Sequence, residues 1–268
     1  MTDIYQAPSA NMEERTQRFR GGSSLEDGIA GRYQFSIGAV FDEAWRQVSG
    51  KKLTCWIAGI MYFAIVMVFA MVLEFLLGRV GLRNDGIDFE WVFRPSVDAG
   101  HKALADSASN FIQLFVTLPL GAGLFMLGLK LVVAAPVEVT EIFQYFGKVL
   151  TFVGATLLMY LMIMIGLCLL VLPGIYLAVG YAMTIQLIVE KDLGPWEAME
   201  ASRKAITHHW FGFLWLFILI FLVIMGSMLT IGIAFIWTGP FILLIKGVLY
   251  RTVFGYEGET RVEETAAV

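Results

Sequence analysis

The sequence predicts an all-α protein built as a polytopic membrane helix bundle, with about six transmembrane helices in three hairpins. Three observations carry this. The 268-residue chain is 58% hydrophobic and only 16% charged, with a mean hydropathy of +0.72, whereas in soluble domains about a quarter of residues are charged. Its apolar runs reach the roughly 20 residues that a helix needs to cross a hydrocarbon core of about 30 Å. Between the runs lie Gly, Pro and charged clusters that end helices.

Residues 1–33 hold Gly, Ser, Glu and Arg with few large apolar side chains, too little to offset the entropy of ordering. They read as a disordered cytoplasmic tail without the apolar core of a signal peptide, so the first hydrophobic run acts as an uncleaved anchor. The membrane domain covers 34–254. It opens with an amphipathic helix in which Ile37, Val40, Phe41, Ala44, Trp45 and Val48 share one face, Ser36 is the N-cap, and Asp42, Glu43, Arg46 and Gln47 lie opposite. Leu53 to Leu77 forms the first crossing, 78–109 the one sizeable outer loop, and Asn110 to Ala135 the second crossing, interrupted by Pro119. Thr140 then caps a short turn carrying Ile142, Phe143 and Phe146. Val149 to Val189 is too long for one crossing, and Leu172-Pro173-Gly174 splits it into a hairpin. Pro195 starts a helix that turns Trp196, Met199, Ala205 and Ile206 to lipid and Glu197, Glu200, Arg203 and Lys204 to water. Phe211 to Tyr250 is two crossings with a turn near Gly226 to Gly232, and 255–268 is an acidic cytoplasmic tail.

Orientation follows from the Lys and Arg beside the helix ends. With the N-terminus inside, the inner flanks carry Arg46, Lys51, Lys52, Lys148, Lys191, Arg203, Lys204 and Arg251, against Arg79, Arg83, Arg94 and Lys102 outside. Both termini are therefore expected in the cytoplasm. A net charge of -4 and a pI near 5.4 argue against a nucleic-acid partner, which needs clustered cations. Cys55 and Cys168 sit in apolar runs and read as small buried hydrophobes.

Each hairpin is preceded by an amphipathic segment, and each returning helix carries a proline, Pro119, Pro173 or Pro240. This pattern is what three copies of one repeat would leave. It is also what amphipathic linkers in any hairpin array would leave. Pro119, Pro173, Gly174 and Pro240 are the candidate helix breaks. Gly174, Ala178 and Ala182 recur every fourth residue and form a small-residue face for close helix packing, within the chain or in a homo-oligomer.

No phosphate-binding Gly-rich loop, zinc-protease motif, Cys-x-x-Cys or nucleophile elbow occurs. No catalytic residue, cofactor or metal site is expected. His208 and His209 are adjacent, point to different faces, and read as polar residues at the foot of the fifth crossing. Lys130 and Lys246 lie near helix ends where their ammonium groups snorkel to the headgroups. With Lys51, Lys52, Arg203 and Lys204 they are the candidate lipid-headgroup contacts.

The run Val171-Leu-Pro-Gly-Ile-Tyr-Leu-Ala-Val, followed by Leu187-Ile-Val-Glu-Lys-Asp-Leu-Gly-Pro-Trp-Glu-Ala-Met-Glu-Ala-Ser-Arg203 and a hydrophobic pair, resembles the YciC-like family of bacterial inner-membrane proteins. It resembles more loosely the membrane domain of some glycerophosphodiester phosphodiesterases. The similarity runs from about Val149 to Gly255. It implies a six-helix inner-membrane protein with an association with lipid metabolism, and carries no catalytic residues. The resulting expectation is a non-enzymatic protein that organises or handles membrane lipid. The alternative is a small-solute or peptide transporter or channel, because proline-interrupted helices at matching positions can build midplane sites.

Overall fold

The computed structural model describes residues 24–79, 99–230 and 232–256. The helices are α1 (Leu25–Ile29), α2 (Ile37–Val48), α3 (Lys52–Arg79), α4 (Ala99–Val132), α5 (Val149–Leu169), α6 (Val171–Gly180), α7 (Thr184–Lys191), α8 (Pro195–Thr207), α9 (Trp210–Leu229) and α10 (Phe235–Phe254). A 3-10 segment, Val139–Lys148, precedes α5. Among the described residues six stretches are long and apolar enough to cross a membrane: α3, α4 from Asp106, the 3-10 segment with α5, α6 with α7, α9 and α10. The protein is therefore an all-α, multi-pass integral membrane protein.

These spans pair as three hairpins. In the first, α3 and α4 enclose Ala58, Leu120 and Leu127 together with Ile142 of the 3-10 segment. In the second, α5 turns into α6 through the single extended residue Leu170. Gly166 faces Gly174 there so closely that a Cβ on Gly166 would stand 3.0 Å from the Gly174 Cα. In the third, Gly232 at φ +80° reverses the chain between α9 and α10. Of the first span only Cys55 and Ala58 are buried, whereas more than half of the last is. α10 is thus the axis of the bundle, and α3 its most lipid-exposed member. The end where α3 begins and α4 and α7 finish is marked by Lys51 Nζ donating to Leu131 O (2.5 Å) and Lys148 Nζ to Ile188 O (3.5 Å). It is called the basal end below.

Several expectations change here. Ser24 to Tyr33, assigned to the tail, are folded. Ser24 and Asp27 form a capping box on α1, and Gly28 packs against Val253 and Phe254. Residues 1–23, most of the expected outer loop and 257–268 lie outside the described residues. Pro119 and Pro240, expected to break helices, lie inside continuous α4 and α10. Pro173 lies within the first turn of α6, after the reversal at Leu170. The fourth span breaks instead at Tyr181–Met183, between α6 and α7. The small-residue face is correspondingly divided: Gly174 packs on α5 while Ala178 is exposed.

The amphipathic segments also differ from the expectation in what they touch. The Val40, Ala44 and Val48 face of α2 belongs to the main core, and Phe41 and Trp45 flank Phe241 of α10. Ile142 of the 3-10 segment is fully buried against Gly123 of α4. Met199, Ala205 and Ile206 of α8 are buried in protein, and only Trp196 of its predicted lipid face is exposed. An apolar stripe gives up the same area to a neighbouring helix as to lipid, and here protein covers it.

Pro240 explains how a proline can sit within a spanning helix. Lacking an N–H, it leaves the carbonyl four residues earlier, that of Ile236, without its helical donor. The Trp56 indole Nε1 of α3 donates to that oxygen at 3.1 Å. This supplies the partner that lipid cannot. Trp56→Phe keeps an aromatic ring and removes the donor, so it should destabilise the protein by about 0.5–1.5 kcal/mol. In a Pro240→Ala background, where residue 240 donates its own N–H, the same change should cost almost nothing. Thermal unfolding in detergent measures both, and an equal cost in the two backgrounds would refute the assignment.

Candidate functional site: the basal membrane boundary

The exposed surface changes character where α8 meets α9. Along α8 and just beyond it, Glu197, Lys204, Thr207 and His208 are exposed, whereas the exposed side chains of α9 include Phe211, Trp215, Phe221, Leu222 and Leu229. Charged side chains at the bilayer centre cost several kcal/mol, and Trp favours the interface. The change from charged to apolar exposed side chains thus falls at His208–Phe211, where the span Trp210–Leu229 begins.

α8 reaches this point by docking along the fourth span. Ser202, fully buried, donates its hydroxyl to Gly180 O (2.7 Å) and accepts from Met183 N (3.1 Å). One side chain thus serves the carbonyl and the amide that the α6–α7 break leaves without helical partners. One turn further on, Arg203 holds Glu200 with both its Nε (2.8 Å) and Nη2 (2.7 Å) and reaches Tyr176 Oη at 3.4 Å. Tyr176 Oη also meets Thr207 Oγ1 at 2.6 Å. The Arg203 hydrogen bonds lower the Glu200 carboxyl below its usual range, and Glu200 raises the guanidinium further. Trp210 Nε1 donates to Tyr176 O (3.3 Å), and the buried Tyr33 phenol donates to Ala205 O (2.9 Å). Burial raises the Tyr33 pKa, so it stays a neutral donor.

At the junction opens a cavity of ≈ 670 Å³ lined by Phe35, Ser36, Ile37, Gly38 and the run Thr207 to Gly212. The segment between α1 and α2 shapes it. The His208 ring occupies the place where a Cβ on Gly31 would stand, a residue at φ +73°, and its Nε2 lies 3.2 Å from Ile29 O. His209 sits edge-on to Tyr33 with centroids 5.0 Å apart. Phe35 stacks on Phe213 at 4.6 Å. The two histidines, read from the sequence as facing apart, thus border one space. Among the described residues no three His, Cys, Asp or Glu side chains come together to hold a metal ion.

The six lysine and arginine candidates separate by what they touch. Lys51 is committed to Leu131 O and Gln47, and burial lowers its pKa. Lys130 pairs with Glu141 at 2.7 Å, and Arg203 with Glu200. Lys204 stands 3.4 Å from Glu200 and is half exposed. Lys52 Nζ lies 5.2 Å from the centre of the Trp237 ring. Lys246 is exposed on α10 and makes no ion pair among the described residues. Comparison of the chain with models of protein families, with characterised proteins and with solved structures finds no match.

The Ser202 arrangement makes a definite prediction. Ser202→Ala leaves a buried carbonyl and a buried amide unpaired, so it should lower stability by about 1–3 kcal/mol. Unfolding of the detergent-solubilised protein reads this, and an unchanged melting temperature would show that the break is satisfied some other way.

Proposed function

We infer that the protein is a non-enzymatic inner-membrane protein of bacterial type that organises or handles anionic lipid, with the basal end and both termini in the cytoplasm. The observation that carries this reading is Lys52, the first residue of the first span, over the face of Trp237 at the start of α10. An ammonium held by an aromatic face at a span terminus keeps its charge available to a lipid phosphate. Lys246 adds a second uncommitted cation on α10, and the exposed Trp45 and Trp196 add interfacial rings. The clustering of Lys51, Lys52, Lys130, Lys148 and Lys191 at this end supports a cytoplasmic position. The resemblance to proteins associated with lipid metabolism points the same way.

A transport reading gains less. Gln113 and Lys130 are 17 residues apart on one helix, about 26 Å at 1.5 Å per residue, and so cannot line one small space. The polar cleft that does include Gln113 lies towards the opposite end, with Glu74, Asp106, Ser109 and Asn110.

Lipid retention tests the proposal. Native mass spectrometry of protein extracted from phosphatidylglycerol-containing membranes should show bound phosphatidylglycerol. Lys52→Gln with Lys246→Gln should lower the number of phosphatidylglycerol molecules retained per protein, each ammonium having held its lipid by about 1 kcal/mol. Retention unchanged in the double variant would contradict the reading.

A further inference from the structure

We propose that the cavity at the α8–α9 junction is a phospholipid site that takes the phosphodiester of one lipid between Ser36 and His209 and lays its acyl chain along Phe211. The proposal deepens the lipid reading above and rests on it. Three independent features of the cavity select such an occupant. Its volume of ≈ 670 Å³ lies within the usual range for small-molecule pockets, about 300–1,000 Å³. Its lining combines polar residues, Ser36, Thr207, His208 and His209, with apolar ones, Phe35, Ile37, Trp210 and Phe211. An occupant with a polar head and an apolar tail meets both kinds; a purely polar solute leaves the apolar residues against water. Third, the cavity holds side-chain donors that the fold does not use: the Ser36 hydroxyl makes no capping bond to α2, and His209 makes none to α9.

The chemistry of the rim favours a phosphate. α2 and α9 both begin at the cavity, and the first-turn amides of each helix have no partner within it. The amides of Ile37, Gly38, Phe211 and Gly212 therefore add to the hydroxyl and the imidazole as donors, and both helix dipoles favour negative charge there. His208 is held by the carbonyl of Ile29 and serves as a wall. The Phe211 ring, 73% exposed, continues from the cavity onto the lipid-facing surface of α9, which gives the tail a path into the bilayer.

The test uses the full chain in mild detergent, phosphatidylglycerol as the probe, and bound lipid counted by native mass spectrometry. A Cβ on Gly38 meets open space, and a carboxylate in the first turn of α2 is favourable for the helix. Gly38→Asp should therefore keep the melting temperature while removing one bound lipid per protein, the one that the Lys52→Gln, Lys246→Gln variant retains. His209→Phe, which keeps the packing on Tyr33 and removes the donor, should lower the occupancy of that lipid several-fold. Gly194→Asp puts the same charge in open space at the start of α8 and should bind as the unsubstituted protein does. Wild-type binding by both Gly38→Asp and His209→Phe would overturn the site. If the Lys52 and Lys246 variants lost lipid in that same experiment, the lipid reading would survive without it. sn-Glycerol 3-phosphate should not displace the lipid at equal concentration; displacement would identify a site for free phosphate esters and overturn the lipid assignment.

Discussion

A backbone carbonyl or amide within a membrane protein has no water to bond when its helix ends or breaks, and an unpaired one costs several kcal/mol in hydrocarbon. This chain meets that constraint with side chains from other elements. Trp56 serves the carbonyl freed by Pro240, Lys51 the end of α4, Lys148 the end of α7, Tyr33 the end of α8, and Ser202 both sides of the α6–α7 break. All of these contacts except those of Ser202 join residues at least 40 positions apart in sequence. They tie the polar segments between hairpins to the apolar spans, and so turn three hairpins into one bundle around α10.

That arrangement decides what the polar segments can do. Because α2 and α8 bury most of their apolar faces in protein, and the 3-10 segment buries Ile142 while Phe143 and Phe146 stay exposed, they do not float on the bilayer as independent amphipathic helices. α8 in particular brings Glu200, Arg203 and Lys204 alongside the fourth span without placing them in lipid. Its Ser202 bonds and the Arg203–Glu200–Tyr176 cluster fix its register, and that register places the His208–Trp210 junction. The same economy sorts the cations. Lys51, Lys130 and Arg203 are occupied within the protein, leaving Lys52, Lys204 and Lys246 as the ones that face outward.

The spans were legible in the sequence because length and composition determine them: all six fall where apolar runs and breakers place them, and α2 starts after Ser36 as its periodicity predicts. What the apolar faces would touch was not legible, since an apolar stripe is the same signal whether protein or lipid covers it. Pro119 and Pro240 read as breaks because the donor that accommodates Pro240 lies 180 positions away. Ser202 in Glu-Ala-Ser-Arg looks like an ordinary helix residue, and nothing local marks it as the group that closes a break. The α1 turn was misread from composition, although Ser24 and Asp27 three residues apart are a capping signal. The cavity was invisible for a related reason. It is formed by residues 35–38 and 207–212, and only the fold of the intervening segments brings those together.

The account rests on side chains from distant elements satisfying the backbone where spans are interrupted, and the α6–α7 break is its clearest instance. Amide hydrogen exchange at Met183 in the unsubstituted protein tests this most directly. The account predicts slow exchange, comparable to that of the helical Leu187 amide, because Ser202 Oγ holds the Met183 N–H in a buried position. Exchange at the rate of an open loop, with Leu187 still protected, would contradict it.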